Sequence, residues 1–269
     1  MSYTFGFIGC GNMGGALACA AEKAIGAKAI LIADHAAEKA QAFARQLGCD
    51  CGTNEQIASE CRYLFLGVKP QMMEGMLSSI APVLAARKDR FILVTMAAGL
   101  SVSRIQEMAG SAYPVIRMMP NTPASIGSGM ILYTASADVT AEEKDTFKAG
   151  MAYAGVLDEL SEHLIDAGSA VSGCGPAFVD LFIEALADGG VECGLPRDKA
   201  LLYAAQMVMG SAKLVLESGE HPGVLKDRVC SPGGSTIVGV HALETGAFRA
   251  TVQNAVVSAF EKTKALGKA

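Results

Sequence analysis

The 269-residue sequence predicts an α/β chain in two parts, a parallel sheet clad by helices over residues 1–160 and an all-α segment over residues 161–269. Three observations carry this. Short apolar runs alternate with helix-compatible stretches from the start of the chain, a glycine cluster closes the first apolar run, and strand-like patterning ends after Leu157.

Taken in order, Tyr3 to Ile8 reads as a strand, and the Ala-rich stretch from Met13 to Ala24 as a helix. Ala29 to Ala33 follows as a buried strand, Ala37 to Leu47 as a helix, and Tyr63 to Val68 as a strand stopped by Lys69-Pro70. Met73–Leu84, Phe91–Thr95, Ser101–Met108 and Pro114–Met118 then alternate as helix, strand, helix and strand. Strands this apolar belong to a parallel sheet covered on both faces. Beyond residue 161, helices are expected over 162–169, 176–193, 198–218, 236–244 and 248–266. In the third of these, Leu201, Leu202, Ala205, Met207, Val208, Met209, Leu214 and Val215 cover nearly the whole circumference. A second subunit packed against this helix is the economical way to bury it, with the centre of a monomeric bundle as the alternative.

Composition narrows the function classes. Hydrophobic residues make up 51% and charged residues 18%, which suits a surface partly covered by a partner. A net charge of −5, with no run of like charges, argues against nucleic acid. No basic leader precedes an apolar core, and no stretch approaches the roughly 18 to 20 uninterrupted apolar residues of a membrane span, so a cytoplasmic protein without a membrane role is expected. The eight cysteines include no C-x-x-C pair, and with four histidines they suggest reduced, mostly buried thiols and no metal site.

Two turns carry chemistry. Gly9-Cys10-Gly11-Asn12-Met13-Gly14 fits G-x-G-x-x-G directly after a strand and at the opening of a helix, the context that a Rossmann-type dinucleotide site requires. Gly9 permits the tight turn, Gly11 lets a pyrophosphate approach the backbone, and Gly14 lets helix and strand pack closely. Asp34, twenty residues beyond Gly14, stands where a carboxylate accepts hydrogen bonds from the adenosine ribose. That favours NAD, although a protonated His35 would partly offset its repulsion of a 2′-phosphate. Near the other end, Ser231-Pro232-Gly233-Gly234-Ser235-Thr236 leads into the 236–244 helix, and its N–H groups and hydroxyls suit a small carboxylate ligand. A plain helix N-cap by Ser235 is the alternative.

These turns, together with Val68-Lys69-Pro70, Met119-Pro120-Asn121-Thr122-Pro123, Ser172-Gly173-Cys174-Gly175-Pro176-Ala177, and the run from Asp227 through Ser231 to Thr236 followed by Leu243 to Arg249, resemble the pyrroline-5-carboxylate reductases in the same order. The resemblance spans essentially the whole chain. It implies reduction of the C=N bond of a cyclic imine carboxylate to proline with NAD(P)H, and an all-α dimerisation domain behind the Rossmann-type domain. The implied assembly is a homodimer or a higher oligomer built from dimers. By the same resemblance the turn at 9–14, Asn54, Val68, Lys69, Pro70 and Ala97 contact the dinucleotide, while Glu162, Lys226, Ser231, Ser235 and Thr236 lie near the substrate. Three departures stand out: Asp34-His35-Ala36 where members preferring NADPH often carry Asn-Arg-Ser, Cys174 for a common serine, and Gly219 for an acidic residue. The first leaves the choice between NADH and NADPH open.

A protonated imine is already an electrophile, so such an enzyme needs positioning and water exclusion more than a strong acid. Thr236 is the candidate to hydrogen-bond the ring nitrogen, with Ser231 beside it, and the Gly233, Gly234 and Ser235 backbone the candidate to hold the carboxylate. The β-hydroxyacid dehydrogenases share this domain plan but use a lysine early in the second domain. Here no Lys or Arg occurs between Ala149 and Pro196. A non-catalytic nucleotide sensor is the alternative from another class, and the hydroxyl-rich turn disfavours it.

Overall fold

In the computed structural model, which describes residues 2–266, the N-terminal half builds an eight-stranded sheet. Its strands are β1 (Tyr3–Ile8), β2 (Ile30–Ala33), β3 (Asp50–Cys51), β4 (Cys61–Leu66), β5 (Ile92–Thr95), β6 (Val115–Met119), β7 (Gly129–Ala135) and β8 (Gly155–Glu159). The spatial order is β3-β2-β1-β4-β5-β6-β7-β8. Every pairing is parallel except β6 with β7, which are antiparallel, so the parallel sheet expected from the apolar runs carries one antiparallel pairing, where β7, beyond those runs, meets β6. The connection between β6 and β7 is a short 3₁₀ turn at Thr122–Ile126, too brief for the crossover that a parallel return requires.

The connecting helices are α1 (Asn12–Ile25), α2 (Ala37–Leu47), α3 (Asn54–Glu60), α4 (Pro70–Ala86), α5 (Val102–Ala109), α6 (Ala141–Met151) and α7 (Glu162–Ser172). One sheet face presents Phe5, Phe7, Tyr63, Phe65, Ile116, Met118 and Tyr133 to α1 and α6. Phe7 and Phe65 stack there with ring centroids 4.5 Å apart. The opposite face presents Ile8, Leu64, Leu66, Leu93 and Val115 to α3, α4 and α5. Burial on both sides explains why the strands read as continuous apolar runs.

The strand expected at 63–68 lies two residues earlier, at 61–66, because Gly67 turns the chain and Pro70 opens α4 rather than merely stopping β4. Strands β3, β7 and β8 and helices α3, α6 and α10 (Pro222–Val229) have no counterpart in the sequence reading. β3 is two residues long and exposed, leaving no periodicity to read. β8 begins at Gly155, whose φ of +138° admits only glycine, and a Cβ there would lie 2.0 Å from the Gly129 carbonyl oxygen at the start of β7.

By packing, Gly175–Ser258 form a second unit, while the residues up to Cys174 and the end of the last helix from Ala259 form the first. α7 belongs with the sheet: Ile165 is buried against Met119 and Leu132. The packing boundary therefore falls one helix beyond the functional boundary expected at residue 160. The second unit contains α8 (Gly175–Glu192), α9 (Arg197–Ser218), α10, α11 (Ser235–Thr245) and most of α12 (Phe248–Leu266). Its small core is Ala187, Ala200 and Ala204, with Ile183 and Val191 packed against it. The monomeric-bundle alternative for α9 does not hold, since Leu201, Leu202, Met207, Met209 and Leu214 are all about half exposed within one chain. Residues 162–192, in α7 and α8, are apolar enough on average to match a membrane span by length and composition, although acidic residues interrupt them and leave no uninterrupted apolar run of that length.

Candidate active site

The register of the sheet builds the first candidate site. Ala33, Ile8, Leu66, Thr95 and Arg117 stand side by side across β2, β1, β4, β5 and β6, so the turns that follow these strands emerge along one edge. Strand order reverses between β1 and β4, the switch point at which open α/β sheets bind ligands.

At that point Gly9 adopts φ +100°, and its N–H donates to the Ala33 carbonyl at 2.7 Å. Gly9 leans against Gly67: a Cβ on Gly9 would lie 2.6 Å from the Gly67 carbonyl oxygen, and the Gly67 N–H donates to Ile8 at 2.7 Å. Gly67 thus belongs to the site, although it matches no fingerprint position and so carries no signal in the sequence. A Cβ on Gly14 would lie 2.1 Å from the Gly9 carbonyl oxygen, the close helix–strand approach expected of it. A Cβ on Gly11 would meet nothing within 4 Å, so open space lies where a pyrophosphate would approach. Gly11 is also the N-cap of α1 and offers no side-chain cap, which leaves the first N–H groups of that helix, at Asn12 and Met13, available to an anion. These features fit a dinucleotide.

Asp34 does more than wait for a ribose. Its Oδ2 accepts from the Cys10 N–H at 2.7 Å and its Oδ1 from the Ala36 N–H at 3.0 Å, with His35 Nδ1 2.9 Å from Oδ1. The Asp34 side chain is 5% exposed, whereas His35 is 84% exposed. Burial disfavours the Asp34 charge, but the Ala36 and Cys10 N–H groups, with His35 and Lys39, outweigh it and hold the carboxyl below its usual range. Burial, with Asp34 nearby, pushes the Cys10 thiol up to about 12, so that cysteine is inert packing.

Val68 is half-buried, Lys69 is the N-cap of α4, and Pro70 occupies its first turn. Asn54 opens α3 but does not cap it; Thr53 does, in a reciprocal capping box with Gln56. Ala97 is buried in the loop after β5, where its N–H donates to Thr95 Oγ1 at 3.3 Å. Glu162, placed near the substrate by resemblance, directs Oε1 to the Val102 N–H at 2.7 Å and lies 3.7 Å from Arg117.

A second candidate site lies in the helical unit. Ser231-Pro232-Gly233-Gly234 forms a β-turn in which the Gly234 N–H donates to the Ser231 carbonyl at 3.0 Å and Gly233 adopts φ +71°. Proline second and a left-handed glycine third are the residues a type II turn calls for. The turn delivers Gly234, not Ser235, as the N-cap of α11, again without a side-chain cap. The Ser235 cap is therefore excluded, and Ser235 and Thr236 occupy the first helical turn with exposed side chains. Lys226, in α10, pairs with Asp227 at 2.5 Å, and this hydrogen bond raises its pKa.

Residues 162–266 match a family model described as pyrroline-5-carboxylate reductase dimerisation, and residues 4–99 match one described as NADP oxidoreductase, coenzyme F420-dependent. The chain is 41% identical to a pyrroline-5-carboxylate reductase of Escherichia coli K12, over 100% of both chains. It is 40% identical to one from Glycine max, over 98% of this chain and 96% of that one. Among solved structures, a Plasmodium falciparum pyrroline carboxylate reductase with NADP bound superposes with a TM-score of 0.88 at 34% identity, covering 98% of each chain.

Proposed function

The chain belongs to the pyrroline-5-carboxylate reductase family, and from that premise we propose that it reduces 1-pyrroline-5-carboxylate to L-proline with NAD(P)H. The observation that carries this reading is the pairing of two uncapped helix N-termini in one chain, each behind a glycine turn: Gly11 before α1 and Gly234 before α11. The first suits a pyrophosphate and the second a carboxylate. Residues 1–160 serve the dinucleotide, through Gly9 to Gly14, Asp34, His35, Asn54, Val68, Lys69, Pro70 and Ala97. Residues 161–269 serve dimerisation and the substrate.

When held at the Gly9–Gly14 turn, the reduced dinucleotide would supply the hydride for the carbon of the C=N bond. The backbone N–H groups of Gly233 and Ser235 hold the substrate carboxylate, the Gly234 N–H being engaged by the Ser231 carbonyl, and Thr236 Oγ1 hydrogen-bonds the ring nitrogen, with Ser231 and Lys226 alongside. No strong acid is required, because the protonated imine is already electrophilic. The family's dimerisation domain and the exposed apolar residues of α9 support a homodimer or larger assembly. Its eight unpaired cysteines suit a reducing cytoplasm, and its partner is a small imine rather than a nucleic acid or a membrane.

Initial rates with pyrroline-5-carboxylate and its six-membered analogue, each with NADH and NADPH, test the reading. Turnover of the five-membered imine at least tenfold faster is expected; absence of imine-dependent cofactor oxidation overturns it.

A further inference from the structure

Arg117 is 3% exposed in β6, in register with Thr95 of β5. Its Nη2 donates to Asp166 Oδ1, its Nη1 lies 3.7 Å from Glu162 Oε1, and its Nε has no partner among the described residues. Both carboxylates are on α7, one turn apart. The same Glu162 oxygen accepts the Val102 N–H at 2.7 Å, the first N–H of α5. Ser101 Oγ caps the helix as well, accepting from Arg104 N–H at 3.1 Å.

The loop from Thr95 to Ser101 is consequently held at both ends. Thr95 Oγ1 takes the Ala97 N–H at its start, and Glu162 closes its end. The other end of α7 is pinned too: Asn121, just beyond β6, donates from Nδ2 to the Ser172 carbonyl at 3.0 Å and accepts the Met130 N–H on Oδ1 at 2.9 Å. A buried ion cluster contributes little net stability, because desolvation offsets the attraction. What a guanidinium between two carboxylates does supply is orientation, through its rigid planar fork. With Asp34 marking the adenosine side at β2, the loop after β5 lies on the nicotinamide side of the switch point.

We infer that Arg117 is a positioning residue: acting through Glu162, it sets the Thr95–Ser101 loop against the nicotinamide half of the dinucleotide. The inference rests on the reading of the 9–14 turn as the dinucleotide site, and it assigns Glu162 to the dinucleotide side instead of the substrate side.

The test compares wild type, Arg117→Lys, Glu162→Ala and the double variant by fluorescence titration of reduced dinucleotide, by KM for each substrate, and by melting temperature. Glu143→Gln, which removes the charge of a separate ion pair between buried Glu143 and exposed Arg90, is the stability control. The dinucleotide Kd and KM should rise about tenfold in each single variant, as a small misplacement of a binding loop produces, with the imine KM within about twofold of wild type. The double variant should be no worse than the worse single one, because both act on one contact. Glu143→Gln should lower the melting temperature without moving the dinucleotide Kd. Lower stability with wild-type dinucleotide Kd in Arg117→Lys, additive effects in the double variant, or a Glu162→Ala defect confined to the imine KM would each overturn the inference. Should Arg117→Lys fail to fold, an unchanged dinucleotide Kd in Glu162→Ala overturns it alone. Wild-type protein that binds no dinucleotide would sink the underlying site reading as well, whereas variants that match a binding wild type sink only the role of Arg117.

Discussion

Replacing Asp34 by asparagine separates two roles for that carboxylate. A residue that only meets the ribose could be changed without touching the free protein. The structure instead has Oδ2 on the Cys10 N–H and Oδ1 on the Ala36 N–H, at 2.7 and 3.0 Å. An amide keeps one acceptor oxygen, so whichever way the new side chain turns, one backbone N–H faces an NH₂ group. One charge-assisted hydrogen bond is lost in a nearly buried setting, which costs about 1.5–3 kcal/mol. At about 2–4 °C per kcal/mol for a chain of this size, the melting temperature should fall by about 3–12 °C. Removing the charge should also shift the kcat/KM ratio towards NADPH, and Asp34→Ser should shift it in the same direction. Because the Cys10 N–H belongs to the phosphate turn, affinity for both dinucleotides should drop together. The pH dependence has a definite sign: the folded-state pKa is lowered, so the contribution is present above the unfolded value of about 4 and is lost as pH falls through the folded one. Calorimetry of the dinucleotide-free protein at pH 7, with titrations of NADH and NADPH, reads all of this. An Asp34→Asn protein that melts with wild type would refute the anchoring role.

Thr236→Val should lower kcat/KM for the imine by about 10- to 100-fold, the equivalent of about 1–3 kcal/mol, with dinucleotide Kd unchanged; Gly234, not Thr236, caps α11, so a variant that is destabilised but kinetically normal would sink the catalytic role. Gly155→Ala should cost more than about 3 kcal/mol, since φ +138° and the Gly129 carbonyl both reject a Cβ, and wild-type urea unfolding would contradict that. Glu143, held down to about 2 first by its hydrogen bonds from Arg90, stabilises the fold above an unfolded pKa near 4 and loses that contribution as pH falls towards 2. The difference in melting temperature between wild type and Glu143→Gln should therefore shrink on going from pH 7 to pH 3, and a constant difference would count against it. Leu202→Asp with Met209→Asp should dissociate the assembly in sedimentation at micromolar concentration, because both side chains are about half exposed on α9; an intact oligomer would place the interface elsewhere.

What was legible in the sequence is what neighbours along the chain decide. A strand, a glycine turn and a helix occupy residues 3–25, and each of their signals lies within a few residues of the structure it specifies. The same holds for the Ser231–Gly234 turn, whose proline and glycine set their own backbone angles. The apolar strands were readable because burial on both faces removes the need for alternation. Strand β8 escaped notice because its GVLDE segment carries exposed polar residues at its end, on a sheet position that only its pairing with β7 defines.

The remainder depends on register between distant strands, which no local pattern encodes. Asp34 reaches Cys10 across 24 residues because Ala33 and Ile8 pair, and the Gly9 turn meets Gly67 because Ile8 also pairs with Leu66. Arg117 reads in sequence as a charge inside a strand that ought to be apolar. Only the packing of α7 over β6 and β7 supplies the two carboxylates that make its burial tolerable, and links it through Glu162 to the Val102 N–H, 60 residues from Glu162 along the chain. Residue type and local conformation were thus set by short-range chemistry. Which charge meets which partner was settled by tertiary structure, because a buried ion can be neutralised only by groups that the whole fold brings within reach.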